Sequence, residues 1–207
     1  MAKLTDRLID PAKVVALHDQ LVTHWHSAPV TRTVTDPLMA IVEDNHANNF
    51  ELWHEEDKAR DKDADNAIIA QVKHNIDGFN QRRNDAMERI DEWVTEQLST
   101  LAPEVPESVP LHSETVGSIV DRLSILSLKR YHMGEETLRK DATEEHIATC
   151  QGKLGILSLQ RDDLAEALGR FLEELASGQK RFRVYRQMKM YNDPRLNPVL
   201  YGKANKR

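Results

Sequence analysis

Asn45-His46-Ala47-Asn48-Asn49-Phe50-Glu51-Leu52-Trp53-His54-Glu55-Glu56-Asp57-Lys58-Ala59-Arg60 is too polar for a core helix and too rich in Trp, Phe and Leu for a solvated one. With about 100° of turn per residue, one helical stripe holds Leu38, Val42, Asn45, Asn49, Trp53, Glu56 and Arg60. The stripe begins apolar and turns polar without leaving the face. A buried amide or carboxylate costs roughly 2–7 kcal/mol unless it is paired, so such a row calls for partners or a ligand. A second polar run, Asn80-Gln81-Arg82-Arg83-Asn84-Asp85-Ala86-Met87-Glu88-Arg89-Ile90-Asp91, falls on the next helix. Its apolar stripe is Ile69, Val72, Ile76, Phe79, Met87, Ile90, Val94, Leu98 and Leu101, and Arg83 stands in the gap between Phe79 and Met87, with Asn80, Asn84 and Asp91 beside it. A buried arginine needs a carboxylate, and Glu56 and Asp91 are the obvious partners. The two runs are expected to face each other and enclose one polar site.

Outward from these runs, proline supplies the punctuation. The eight prolines lie at 11, 29, 37, 103, 106, 110, 194 and 198, leaving windows 38–102 and 111–193 free of them. Helix interiors exclude proline, so each window is a helical hairpin. No period-two alternation is sustained, which argues against a sheet. The expectation is an all-α bundle of about five long helices over residues 1–178, with a basic C-terminal arm over 179–207 packed on or extending from it. Asp10-Pro11 and Asp36-Pro37 start the first two helices as cap plus first-turn proline. Asp65 caps the third, which runs to about Leu101. Ser113 caps the fourth, from Glu114 to about Met133. Asp141 with Glu144 starts the fifth, and Gly178 ends it. The fourth helix is apolar on two faces, Ile119, Leu123 and Leu126 on one and Ile125 and Leu128 on the other, which places it in the middle of the bundle with Asp121 and His132 pointing inward.

A chain of 207 residues with one cysteine, Cys150, builds its core without disulfides and suits a reducing cytoplasm. No apolar stretch reaches membrane-spanning length, and the start reads as mature cytoplasmic protein. The net charge of −6 divides into +8 over residues 179–207, from nine Lys/Arg against Asp193, and −14 over the rest. The arm either binds an anion or lies back on its own acidic bundle. Tyr185, Met188, Met190 and Tyr191 resemble anchors and favour the second. Nucleic-acid binding has only this arm for it and an acidic body against it. The long helices leave room for a homodimer through an apolar face.

His18, His24 and His26 ride on the first helix, but no carboxylate completes a metal set there. Glu51-x-x-His54 has the spacing of a di-iron ligand pair, with no second such motif to match it. Glycine-rich phosphate loops, nucleophile elbows and zinc-type Cys/His spacings are lacking. What remains is a ligand site of Asn45, Asn49, Glu56, Arg60, Asn80, Arg83, Asn84, Asp91, Asp121 and His132, rich in donors for hydroxyls and phosphates. Arg83 and Arg60 are assigned to anion contact, the asparagines at 49, 80 and 84 to hydroxyl contact, and Glu56, Asp91 and Asp121 to orienting them. No cofactor is required. The alternative is a magnesium-dependent phosphohydrolase of nucleotide-type substrates using Glu56, Glu88 and Asp91, since a hard cation takes oxygen ligands and bridges phosphate. A third reading is a non-catalytic interaction scaffold.

Asn45-His46-x-x-Asn49-Phe50-x-Leu52-Trp53-His54-x-Glu56-Asp57-x-Ala59-Arg60, Asn80-Gln81-x-Arg83-Asn84-Asp85, Asp121-Arg122-Leu123-Ser124-Ile125 with Lys129, Tyr131-His132-Met133 and Lys189-Met190-Tyr191-Asn192-Asp193 together resemble the bacterial domain-of-unknown-function 4254 family, over about residues 36–200. The resemblance carries no activity. It implies a setting in glycan or sugar-nucleotide metabolism, alongside glycosyltransferases, and hence a sugar nucleotide or phosphorylated sugar as the small polar or anionic ligand.

Overall fold

Each proline-marked start becomes a helix. The computed structural model describes residues 8–101, 104–188, 190 and 193–199. In α1 (Pro11–Trp25) the Asp10 carboxylate accepts from the Ala12 and Lys13 N–H groups. In α2 (Pro37–Lys58) Asp36 accepts from Met39 N–H at 2.9 Å. Asp65 does the same for α3 (Asn66–Leu101), at Ala67 and Ile68. These side chains satisfy donors that the first helical turn leaves without partners.

Two expected caps are corrected. α4 spans Val116–Thr137 and its cap is Thr115, not Ser113; Thr115 and Ser118 exchange side-chain and backbone bonds in a capping box. α5 spans Glu144–Ala176 and is capped by Thr143. Asp141 instead pairs with Arg139 at 2.8 Å. At the far end of α5, Gly178 adopts φ +73°, the left-handed turn that ends a helix at little cost only for glycine.

α4 packs on all four other helices, while α2 and α3 pair along their lengths and α4 and α5 form the second hairpin. This is the central place expected for a helix apolar on two faces. The core has two parts. The larger joins Val14, Leu38, Val42, Ile90, Val94, Val120, Leu123, Leu168 and Phe171. The smaller joins Leu21, Val22, Trp25, Ala47, Phe50 and Leu128. Along α2 and α4 the residues between these two clusters are polar: Asn45, His46 and Asn49, facing Asp121 and Ser124. A polar belt thus divides the hydrophobic interior.

α3 and α4 meet at Gly117, where an added Cβ would lie 2.2 Å from the Met87 carbonyl oxygen. Across the same contact the Asp91 carboxylate accepts from Gly117 N–H at 2.6 Å.

The described part of the C-terminal arm lies on the bundle. Arg181 and Leu111 form a parallel bridge, and the Arg181 guanidinium donates to the Val109 and Glu107 carbonyls. Arg186 pairs with Glu88 at 3.0 Å and with Glu92. The anchors differ from those expected: Tyr185, Met188 and Met190 are exposed, and Phe182 packs against the core beside Phe171. The residues expected at Lys189, Tyr191, Asn192, Lys203, Lys206 and Arg207 lie outside the described residues. No helix among the described residues is long and apolar enough to cross a membrane.

Candidate functional site

The belt is a continuous hydrogen-bonded chain. His46 Nε2–H donates to the His18 carbonyl at 3.1 Å, and because a carbonyl can only accept, His46 Nδ1 is left to accept from the Ser124 hydroxyl at 2.7 Å. Asn49 donates to Ser124 Oγ at 3.0 Å and to Asp121 Oδ1 at 2.9 Å. Asn45 donates to the same Oδ1 at 3.0 Å. Arg83 closes the chain from α3, Nε to Oδ1 at 2.7 Å and Nη2 to Oδ2 at 2.5 Å. This fork-on-carboxylate geometry is the strong form of the pair, and it raises the Arg83 pKa further.

Arg83 therefore meets Asp121, not Glu56 or Asp91. Asp91 lies more than two turns further along α3, where it holds the start of α4; burial pushes its carboxyl up to about 6, against the lowering effect of the bonds from Thr115 and Gly117. Glu56 is taken by Arg60, one turn on in the chain, at 3.1 Å.

Ser124 and His46 have the separation of a nucleophile and its base, but both side chains are wholly buried, so no substrate reaches them. Burial pulls the His46 pKa down to about 3. His18, with its ring 4.5 Å from that of His46, is lowered too, by burial first and by His46 second.

Above the belt a cleft of about 430 Å³ opens between α2, α3 and α4, lined by Asn49, Leu52, Trp53, Glu56, Asp57, Arg60, Arg83, Ile125 and Leu128. Of the ten residues expected at a site, Asn49, Glu56, Arg60 and Arg83 line this cleft. Asn45 and Asp121 lie buried beneath it. Asn80 stands beside Arg83, with Oδ1 3.5 Å from Nη1. Asn84 and Asp91 line a different groove, with Glu88, Thr115 and Tyr185. The alternative magnesium set is divided accordingly: Glu56 faces the first cleft, Glu88 and Asp91 the second, and Glu88 is bonded by Arg186 and the Gln187 N–H.

His132 lines a third groove with Trp53, Asp57, Lys129 and Lys153, its ring stacked on Trp53 at 4.9 Å and 8°. It also meets two histidines that the sequence reading set aside. One ring nitrogen from each of His26, His54 and His132 lies within 4.8 Å of the other two. His132 was expected at the site, on the inward face of α4, whereas His26, just past the end of α1, and His54 carried no sequence signal that joins them to it. The convergence of α2, α4 and the C-terminal end of α1 is tertiary information. The other sequence-distant group capable of holding a metal, among the described residues, is Glu136, His146 and Cys150.

The chain belongs to the family described as "Protein of unknown function (DUF4254)", whose model matches residues 39–184. The cleft, the belt and two of the three clustered histidines fall inside that match, and His26 precedes it. No curated protein and no solved structure matches the chain.

Proposed function

We propose that this member of the family binds a small ligand carrying hydroxyls and an anionic group, a sugar nucleotide or phosphorylated sugar, in the cleft between α2, α3 and α4. The observation that carries the proposal is the state of Arg83. Asp121 grips its guanidinium from behind, and about a quarter of the side chain, 24%, stays open at the cleft. A cation fixed in advance loses little freedom when it takes an anion. Asn49 supplies an amide beside it, and Leu52, Trp53, Ile125 and Leu128 supply an apolar wall, the mixture usual for a small-molecule site. Arg60 at the rim is exposed and donates to the carboxylate and the main-chain carbonyl of Glu56; exposed ion pairs contribute roughly 0.2–1 kcal/mol, so exchange of the carboxylate for a ligand phosphate is easy. The setting is the cytoplasm, with a glycosyltransferase as partner, in glycan or sugar-nucleotide metabolism. The glycan setting and the glycosyltransferase rest on the sequence resemblance, and the cytoplasm on the single cysteine.

Thermal shift in EDTA with UDP-glucose, glucose 1-phosphate and inorganic phosphate tests the proposal. A ligand at 100 times its Kd adds about 2.7 kcal/mol of stability. UDP-glucose is expected to raise the melting temperature without metal. Arg60→Ala is expected to abolish that rise while leaving the unliganded protein as stable as before. Stabilisation only with magnesium, with phosphate release, would transfer the protein to the hydrolase class. No response to any of the three probes would leave an interaction scaffold.

A further inference from the structure

We propose that His26, His54 and His132 form a mononuclear site for a late first-row divalent metal ion, zinc foremost. This inference does not rest on the ligand reading of the cleft. Three elements bring the rings together: the residue after α1, the last turns of α2, and α4. Their ligand nitrogens lie within 4.8 Å of one another. Around a tetrahedral zinc, with Zn–N of about 2.0–2.1 Å, such nitrogens stand roughly 3.3 Å apart, so small χ rotations close the set.

The tautomers are already those of metal ligands. His26 Nδ1–H donates to the Val22 carbonyl at 2.6 Å, and His132 Nδ1–H donates to the Glu135 carboxylate at 2.9 Å. Each bond leaves the lone pair on Nε2. Both Nε2 atoms are buried without a hydrogen-bond partner among the described residues, although a buried acceptor ordinarily finds one. The Glu135–His132 contact is the carboxylate–histidine arrangement that orients a ligand ring and raises its basicity. Stacking holds the rings in place: Tyr131 lies on His26 at 4.0 Å and Trp53 on His132 at 4.9 Å.

Three imidazole ligands select zinc, cobalt, nickel or copper over magnesium and calcium, which take oxygen. Among the described residues no fourth His, Cys or carboxylate joins the group. Three protein ligands with one position left for water or substrate is the ligand count of catalytic zinc sites, where four closes a structural one. The rival group has less to offer, because Glu136 already receives Arg139 and His146, each at 3.0 Å.

The test is titration of the untagged, chelator-stripped full chain with cobalt(II), followed by visible absorption. One equivalent per chain is expected, with intense d–d bands, no thiolate charge-transfer band, and displacement by zinc. His54→Phe and His132→Phe, which keep a ring in place, should each abolish the bands, whereas His24→Ala and Cys150→Ser should not change them. Glu135→Gln, at a helix surface and so without risk to folding, should weaken cobalt binding by about 10–100-fold. Absence of the bands in the wild-type chain, a stoichiometry well below one, persistence in His132→Phe, unchanged affinity in Glu135→Gln, or a thiolate band lost in Cys150→Ser would each overturn the site. Because the sugar-nucleotide shift is read in EDTA, failure of one proposal leaves the other standing.

Discussion

His46 and His54 stand eight residues apart on α2 and belong to two different kinds of polar group. His46 sits in a belt where the Asp121 carboxylate, the Ser124 hydroxyl and the Arg83 fork are bonded to protein partners within the interior. His54 sits in a half-buried cluster where two imidazole nitrogens have none among the described residues. Hydrogen-bond saturation distinguishes Asp121, Ser124 and His46 from the clustered histidines, although the His18 ring beside His46 also lacks partners among the described residues. The bonded network fixes helix register and leaves only its edge at the cleft, Arg83 above all, for a ligand. An unsaturated one at the protein's edge is poised to take something up. The cleft lies between the two, with its floor made by the belt and its side shared, through Trp53, with the histidine cluster.

The sharpest way to break this comparison is to open the belt. Asp121→Leu strands Arg83 and removes the shared acceptor of Asn45 and Asn49. A loss of roughly 3–5 kcal/mol in urea unfolding is expected, the usual result of removing one partner of a buried pair. A comparable removal of His54, whose cluster carries no such tie, should cost far less.

Acid probes the same contrast without mutation. The folded His46 pKa is depressed from 6.5 to about 3, so its contribution is whole above pH 6.5 and is lost as pH falls through that value toward 3. From pH 7 to 5 the loss is about 2 kcal/mol, and His18 adds in the same direction. Asp91 opposes it. Its folded pKa is raised from 3.8 to about 6, so the folded state binds the proton first and gains stability as pH falls from about 6 toward 4. At pH 5 that gain is about 1 kcal/mol, and Asp91→Asn should lose that much more than the wild type between pH 7 and 5.

A third change tests packing. Gly117→Ala drives a methyl group into the Met87 carbonyl across the α3–α4 contact. Because the obstacle is backbone, the helices must separate, at a cost of roughly 1–3 kcal/mol. Unchanged stability there would mean that the two helices have slack at the junction Asp91 holds.

Local chemistry made much of the fold legible. Asp10-Pro11 and Asp36-Pro37 specify helix starts within a few residues of chain, and the structure uses both. Thr115 displaced Ser113 for a non-local reason: pairing with Arg181 keeps the chain extended at Leu111 and His112, so the helix begins later. The Arg83 anomaly was visible as a cation in an apolar stripe. Its partner was not, because periodicity places residues on one helix and says nothing of the register between helices, and Asp121 arrives from α4. The polar stripe of α2 was also too narrow a description. From Asn45 to Phe50 every residue is buried, because α2 is covered on several sides, whereas Trp53 to Arg60, Glu55 apart, emerge toward solvent. His26 and His54 were the least legible, since periodicity within one helix does not show that the end of α1 and the last turns of α2 meet His132 on α4.

The most direct measurement is urea unfolding of Arg83→Met at pH 7, with the UDP-glucose thermal shift recorded on the same variant. If the belt is a scaffold that presents the guanidinium to the cleft, stability falls by roughly 3–5 kcal/mol as Asp121 is left buried without its cation. A variant that unfolds at the same urea concentration as the wild type, and loses only its response to UDP-glucose, would contradict the tie to Asp121 on which the description of the belt depends.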